Sequence, residues 1–138
     1  MDRDLIDLVR RDRRYPVEAY EFIVESIPYT QERLGRLPHE DDDDPEADYH
    51  VDPDDVCRGA CELAKEQFGL MADVVFRRWN IRTTGDIGAI VFNLIEIQRL
   101  FGSERDDPAE FEDLFNLPAL LGDVRPWSGH STPRKAAR

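Results

Sequence analysis

The chain has 138 residues, enough for one domain whose core needs neither disulfide nor metal. Charged residues make up 35% of it against 41% apolar, and the formal charge is −12. That balance works against nucleic acid, whose affinity comes from counterions released by Lys and Arg, and against anionic membranes; it favours solubility and basic partner surfaces.

The charge is uneven. From Gly122 onward Arg125, Arg134, Lys135 and Arg138 stand against Asp123, giving +3 and leaving −15 for residues 1–121. No apolar run approaches the ~20 residues that span a bilayer. "MDRDLIDLVRRDRRY" holds no apolar signal segment, and only two cysteines occur, so a cytoplasmic, reducing location is expected.

In chain order, Leu5, Leu8 and Val9 share one face of a short amphipathic helix. A second helix opens after Pro16, with Tyr20, Ile23, Val24 and Ile27 as its core stripe and Phe22 beside it. Pro28 is expected to break or kink it, because proline donates nothing to the helix ladder; Gly35 stops the following turn. Residues 36–48 are rich in Asp, Glu and Pro and read as an acidic loop too charged to pack.

Asp52 and Pro53 then mark a strong helix start as N-cap and first helical residue. Val56, Ala60, Leu63, Ala64 and Gln67 form one face, bordered by Cys57, Cys61 and Phe68, and Gly69 ends the helix. "LMADVVFRRWN" is a short helix expected to turn Met71, Val74, Val75 and Trp79 inward, with Asn80 as a left-handed cap. Thr83 with Asp86 three residues on is a capping box for the next helix. Its stripe is Ile87, Ile90, Val91, Leu94, Gln98 and Phe101, while Phe92, Ile95 and Ile97 spread apolar surface to other sides. Such a helix is central, or meets a partner with one face. Asp107, Pro108 and Glu110 repeat the start signal, with Phe111, Leu114 and Phe115 docking. From "NLPALLGDV" to the end, Pro, Gly, Ser and basic residues imply an irregular tail.

The stretches "AYEFIVESIPYTQERLG", "ELAKEQFGLMADVVFRRWNIRTTGDIGAIVFNLIE" and "FEDLF" resemble a family of small proteins of unknown function confined to Planctomycetes and Verrucomicrobia. The similarity covers roughly residues 20–115, and its most distinctive part lies around "EQFGLMA", "WNIR" and "DIGAIVFNL". The resemblance implies a bacterial, cytosolic protein and brings no activity, cofactor or substrate. Family members carry small or aliphatic residues where this chain has Cys57 and Cys61, and the acidic run 41–44 is particular to this chain.

Candidate chemistry is sparse. Cys57 and Cys61, four apart on a helix, with His50 nearby, could ligate zinc. One such pair falls short of the usual doubled Cys/His motif, and core packing is the reading preferred. Residues 41–44 lack the alternating ligands and turn glycine of a calcium loop. His39, His50 and His130 stand alone, no serine has a nucleophile elbow, and no phosphate-binding loop occurs. No catalytic, cofactor or metal residue is therefore assigned.

The unit from Met71 through the turn to the helix after Thr83 resembles the second and third helices of a helix-turn-helix. A DNA reader would expose Arg, Lys, Asn or Gln early in its last helix, and "TTGDIGAIVFN" supplies only Asn93. Arg77, Arg78 and Arg82 form a small basic cluster before it, which could also pair with Asp73, Asp86 or Glu66.

The expected fold is mainly α: a single helical domain over 1–121 with a helix-turn-helix or winged-helix-like three-helix core, a minor β-hairpin after Phe101 if the core is winged, and an irregular basic tail over 122–138. The expected function is a non-catalytic cytosolic interaction or regulatory module, with Phe92, Ile95, Arg77, Arg78 and Arg82 as its interface and a protein partner or a second copy as its ligand. No cofactor, membrane or small-molecule ligand is expected. The alternatives are a winged-helix-like nucleic-acid binder and an enzyme with an unrecognised site.

Overall fold

The computed structural model describes residues 3–35, 51–100 and 107–125. Among these residues the chain is mainly helical and no strand occurs. The acidic loop 36–48, the hairpin considered after Phe101, and Phe101 itself lie outside them, as does the tail from 126 onward.

Helix α1 (Arg3–Arg11) buries Leu5 and Leu8. A turn carries the chain past Tyr15, which is itself buried and meets Tyr20 edge to face at 6.2 Å. Of the break or kink expected at Pro28, the break does not occur: helix α2 (Val17–Arg33) continues through it. Proline removes the bond to the carbonyl four residues earlier, which is that of Val24. Val24 is 36% exposed and Pro28 is exposed, so that carbonyl lies on the solvent side, where water can satisfy it. The opposite face is buried through Ala19, Tyr20, Phe22, Ile23, Ser26 and Thr30. Each large apolar side chain there is worth about 1.5–3 kcal/mol of burial, together more than the ~3 kcal/mol an internal proline costs. The inward face is thus rotated from the expected stripe: Val24 points out, while Ser26 and Thr30 point in. They are accommodated because Ser26 Oγ donates to the Ile23 carbonyl and Thr30 Oγ1 to the Ser26 carbonyl, both at 2.7 Å.

Helix α3 (Pro53–Phe68) starts as its sequence dictates: the Asp52 side chain accepts from the Asp55 N–H at 3.0 Å. Nine of its sixteen residues are buried, which makes α3 the centre of the fold. It packs on α2 most extensively, with Gly59 set against Thr30; Gln67, expected on the core face, is exposed.

A 3-10 turn (Gly69–Met71) precedes helix α4 (Ala72–Arg78). The tighter turn shifts the phase, so α4 buries Ala72 and Phe76, whereas Met71 is 55% exposed and Val74, Val75 and Trp79 are only half-buried. Phe76 joins Phe22, Phe68 and Trp79 in an aromatic cluster with ring centroids 5.3–6.1 Å apart.

Helix α5 (Thr84–Glu96) opens with the full Thr83–Asp86 capping box and buries Ile87, Ile90, Val91 and Leu94. It ends at Glu96, so Gln98, expected on its stripe, is exposed with a left-handed φ of 63°. A second 3-10 turn (Pro108–Phe111) rests on α5, its Phe111 ring beside Gly88. The segment expected to be irregular holds a short helix, α6 (Leu117–Leu121), capped by Asn116, whose side chain accepts from the Ala119 N–H at 3.0 Å. Five residues are too few to show a helical period, but Leu117 and Leu121 fall four apart and are buried, and α6 docks on α3. Helix α2 is as much part of the core as α3 and α5, with Tyr20, Phe22 and Ile23 buried.

Candidate functional site

The residues singled out in sequence do not form one patch of one character. Phe92 is half-buried, its ring edge to face with Phe111 at 6.0 Å, and Ile95 is half-buried against the core. Arg77, Arg78 and Arg82 are exposed. Arg77 pairs with Asp73 at 3.3 Å, and Arg82 Nε donates to Asn80 Oδ1 at 3.2 Å. Asp86 serves other groups: its carboxylate accepts from Tyr15 Oη at 2.7 Å and from the Arg82 and Thr83 backbone N–H groups at 2.8 and 3.1 Å. Glu66 accepts from Tyr29 Oη at 2.8 Å. Asn93 faces inward, donating to Asp12 Oδ2 at 3.0 Å and Tyr20 Oη at 3.1 Å, which removes it from the groups free to touch a base edge.

Two surfaces emerge. The first surrounds the 3-10 turn between α3 and α4. Leu70 is 95% exposed, Met71 is exposed beside it, and Val124 across the groove is 87% exposed. The groove holds about 480 Å³ and mixes charges of both signs, among them Arg33, Glu62, Lys65 and Glu66. Lys65 bridges the Glu62 carboxylate at 2.9 Å and the Asp123 carbonyl at 2.8 Å, tying α6 and its C-terminal extension to α3. Burial, helped by Glu66, pushes the Tyr29 hydroxyl up to about 12.

The second surface lies where the α1–α2 turn meets the α4–α5 turn. Asn80, left-handed at φ 64°, donates from Nδ2 to the Arg14 carbonyl at 3.1 Å and joins the two turns. The cleft beside it holds about 450 Å³ and is lined by Arg10, Arg13, Arg14 and Arg78. Arg14 is committed to Asp12, with Nη2 to Oδ2 at 2.7 Å and Nε to Oδ1 at 3.0 Å. That guanidinium holds the Asp12 carboxyl well below the usual carboxylate range.

No family model, curated protein or solved structure matches the chain. The site has therefore to be read from its own chemistry.

Reactive groups are scarce in that chemistry. Cys57 and Cys61 are both wholly buried, and burial raises both thiols, so they stay protonated at neutral pH. The buried hydroxyls of Ser26, Thr30 and Thr84 are spent on the backbone carbonyls of Ile23, Ser26 and Phe111. Among the described residues no three His, Cys, Asp or Glu side chains converge as metal ligands, and all three histidines lie outside those residues.

Sequence reasoning missed Leu70, Arg10 and Arg13. The nearest signal for Leu70 was Gly69, which ends α3 with a left-handed φ of 57° and opens a 3-10 turn in which no residue is buried. The signal for the arginines was the run "RRDRR" over 10–14, which reads as the polar flank of α1 until the fold brings Arg78 beside it.

Proposed function

We propose that this chain is a non-catalytic, cytoplasmic interaction or regulatory module of bacterial origin, whose partner is a protein or a second copy of itself. The observation that carries the reading is Leu70. An isolated surface leucine needs no explanation, but Leu70 and Val124 line one groove while strongly exposed, and exposed Met71 adjoins Leu70 in the chain. An apolar anchor framed by charges of both signs is the usual make-up of a protein contact, with the apolar centre supplying affinity and the rim supplying fit. The overall charge of −12 favours a partner with a basic surface. Phe92 and Ile95 are the second apolar element of this reading, and the resemblance to the family of small planctomycete and verrucomicrobial proteins is compatible with it.

The test compares the full chain with Leu70→Glu by sedimentation velocity over a concentration series and by affinity capture from native lysate. A self-association, or a captured protein, that is present for the wild type and lost in L70E supports the reading. Identical behaviour of the two proteins, with L70E folded by circular dichroism, would refute it.

A second reading is favoured by one observation. Asn80, Thr83 and Asp86 build an ordered turn between α4 and α5, with Arg78 and Arg82 exposed around it, as a helix-turn-helix-like nucleic-acid binder would require. The inward commitment of Asn93 and the acidity of the chain rank it below the first.

A further inference from the structure

The cleft between the α1–α2 and α4–α5 turns is chemically unlike the rest of this acidic molecule. Four arginines line it and no carboxylate does. Arg14 is neutralised by Asp12, but among the described residues no carboxylate pairs with Arg10, Arg13 or Arg78. Three guanidinium groups without a carboxylate partner in one cleft repel each other.

Their position at two helix ends supplies only part of an explanation. The C-termini of α1 and α4 each present roughly half a negative charge, and Arg10 with Arg11 and Arg77 with Arg78 stand in those last turns, where Arg11 pairs with Glu96 and Arg77 with Asp73. Arg10 and Arg78 bring one full charge each to ends that carry about half a charge, and Arg13, beyond the end of α1, adds a third, so the total exceeds what the two helix ends can balance. The cleft is also held in shape, because Asn80 fastens the Arg14 carbonyl and Arg82 fastens Asn80. A guanidinium offers a planar fork of donors matched to phosphate oxygens, so arginines set at two helix ends and the turn that Asn80 fastens are organised for such a ligand.

We propose that this cleft binds the phosphate group of a small molecule, with Arg10, Arg13 and Arg78 as its ligands. Its volume of about 450 Å³ exceeds what a bare phosphate needs and admits an organic portion beside it. A polyanionic duplex is the poorer fit. A compact phosphate feels chiefly the nearby arginines, since charges beyond roughly 8 Å are screened at physiological salt, whereas a duplex must lie along a body of −12. The cleft does not depend on the Leu70 surface.

The test is calorimetric titration of the full chain, at physiological ionic strength, with inorganic phosphate, adenosine monophosphate, sulfate and a short DNA duplex. Saturable binding of phosphate or the monophosphate is expected, weakened about tenfold by Arg13→Ala and by Arg78→Ala. Arg78→Lys should lie between, because it keeps the charge and loses the fork. Arg125→Ala, outside the cleft, should leave affinity unchanged. Tighter binding of adenosine monophosphate than of inorganic phosphate would place an organic portion in the cleft; equal binding would make phosphate alone the ligand. The proposal is overturned if neither phosphate compound binds saturably, if the R10A/R13A/R78A triple variant binds as the wild type does, or if sulfate binds equally well. It is likewise overturned if the duplex binds more tightly than both phosphate compounds through the same arginines.

Discussion

Asp86 shows how much one side chain can hold. Its carboxylate closes the capping box of α5 and accepts the Tyr15 hydroxyl from the other end of the chain, 71 residues away. Tyr15 is only 2% exposed, so its hydroxyl has little water to turn to. Asp86→Ala removes a cap, worth ~1 kcal/mol, and strands a buried donor, worth ~1–3 kcal/mol. A loss of about 3 kcal/mol in urea unfolding, with an unchanged m-value, is expected; Asp86→Asn, which keeps an acceptor, should lose distinctly less. Thr84 works in the same manner, donating to the Phe111 carbonyl at 2.6 Å and accepting the Leu114 N–H at 3.2 Å. Thr84→Val keeps the shape and leaves both backbone groups unpaired, so a loss of about 2 kcal/mol is expected by the same measurement. The capping function of Asp86 was legible in "TTGD" three residues after Asn80. Its bond to Tyr15 was not, because no local pattern encodes a partner 71 positions away.

At the scale of elements, the crossing of α2 and α3 depends on a residue with no side chain. A Cβ built on Gly59 would collide with Thr30 Oγ1 and come within 2.7 Å of Thr30 Cβ. Thr30 cannot move aside cheaply, since its hydroxyl is bound to the Ser26 carbonyl within the buried helix face. Gly59→Ala should therefore destabilise the protein by about 1–3 kcal/mol, despite alanine's better helix propensity, which alone would predict a gain of ~1 kcal/mol. A raised melting temperature in G59A would show that the two helices are free to separate. The elements themselves were largely legible, because their starts carry strong local signals at Asp52–Pro53, Thr83–Asp86 and Asp107–Pro108. Their inward faces were less so. Pro28 is tolerated where the packed face outweighs the missing bond, and the phase of α4 is set by a 3-10 turn that the hydrophobic pattern does not reveal.

The whole molecule is governed by its charge. With −12 distributed over a small domain, self-repulsion opposes compaction at neutral pH, and added salt should raise the melting temperature by screening it. A melting temperature that falls between low and moderate sodium chloride would mean that specific ion pairs outweigh the repulsion. Titration adds two windows. Asp12 has a folded value below its unfolded one, so its contribution is full above the ordinary carboxylate value near 3.8 and is lost as pH falls through the folded value. Tyr15, Tyr20 and Tyr29 are displaced upward, chiefly by burial. Below pH 10 the folded and unfolded chains bind these protons equally. Above it the unfolded chain releases them first, and stability falls as pH rises toward about 12, the value of Tyr29. The tyrosinate absorbance of these three side chains should accordingly rise with the unfolding transition rather than before it.

From residue identity and spacing alone came the helical class, the starts of α3 and α5, most of the apolar core and the acidic balance, because each is a local or summed property of the chain. The tertiary structure decided the rest: that α2 turns Ser26 and Thr30 inward and Val24 outward, that Leu70 is left outside, and that Arg10 and Arg13 meet Arg78 across Asn80. Hydrophobic periodicity reports which side chains want burial but not which of several faces finds a partner, and a cluster assembled from two distant turns has no period to be read.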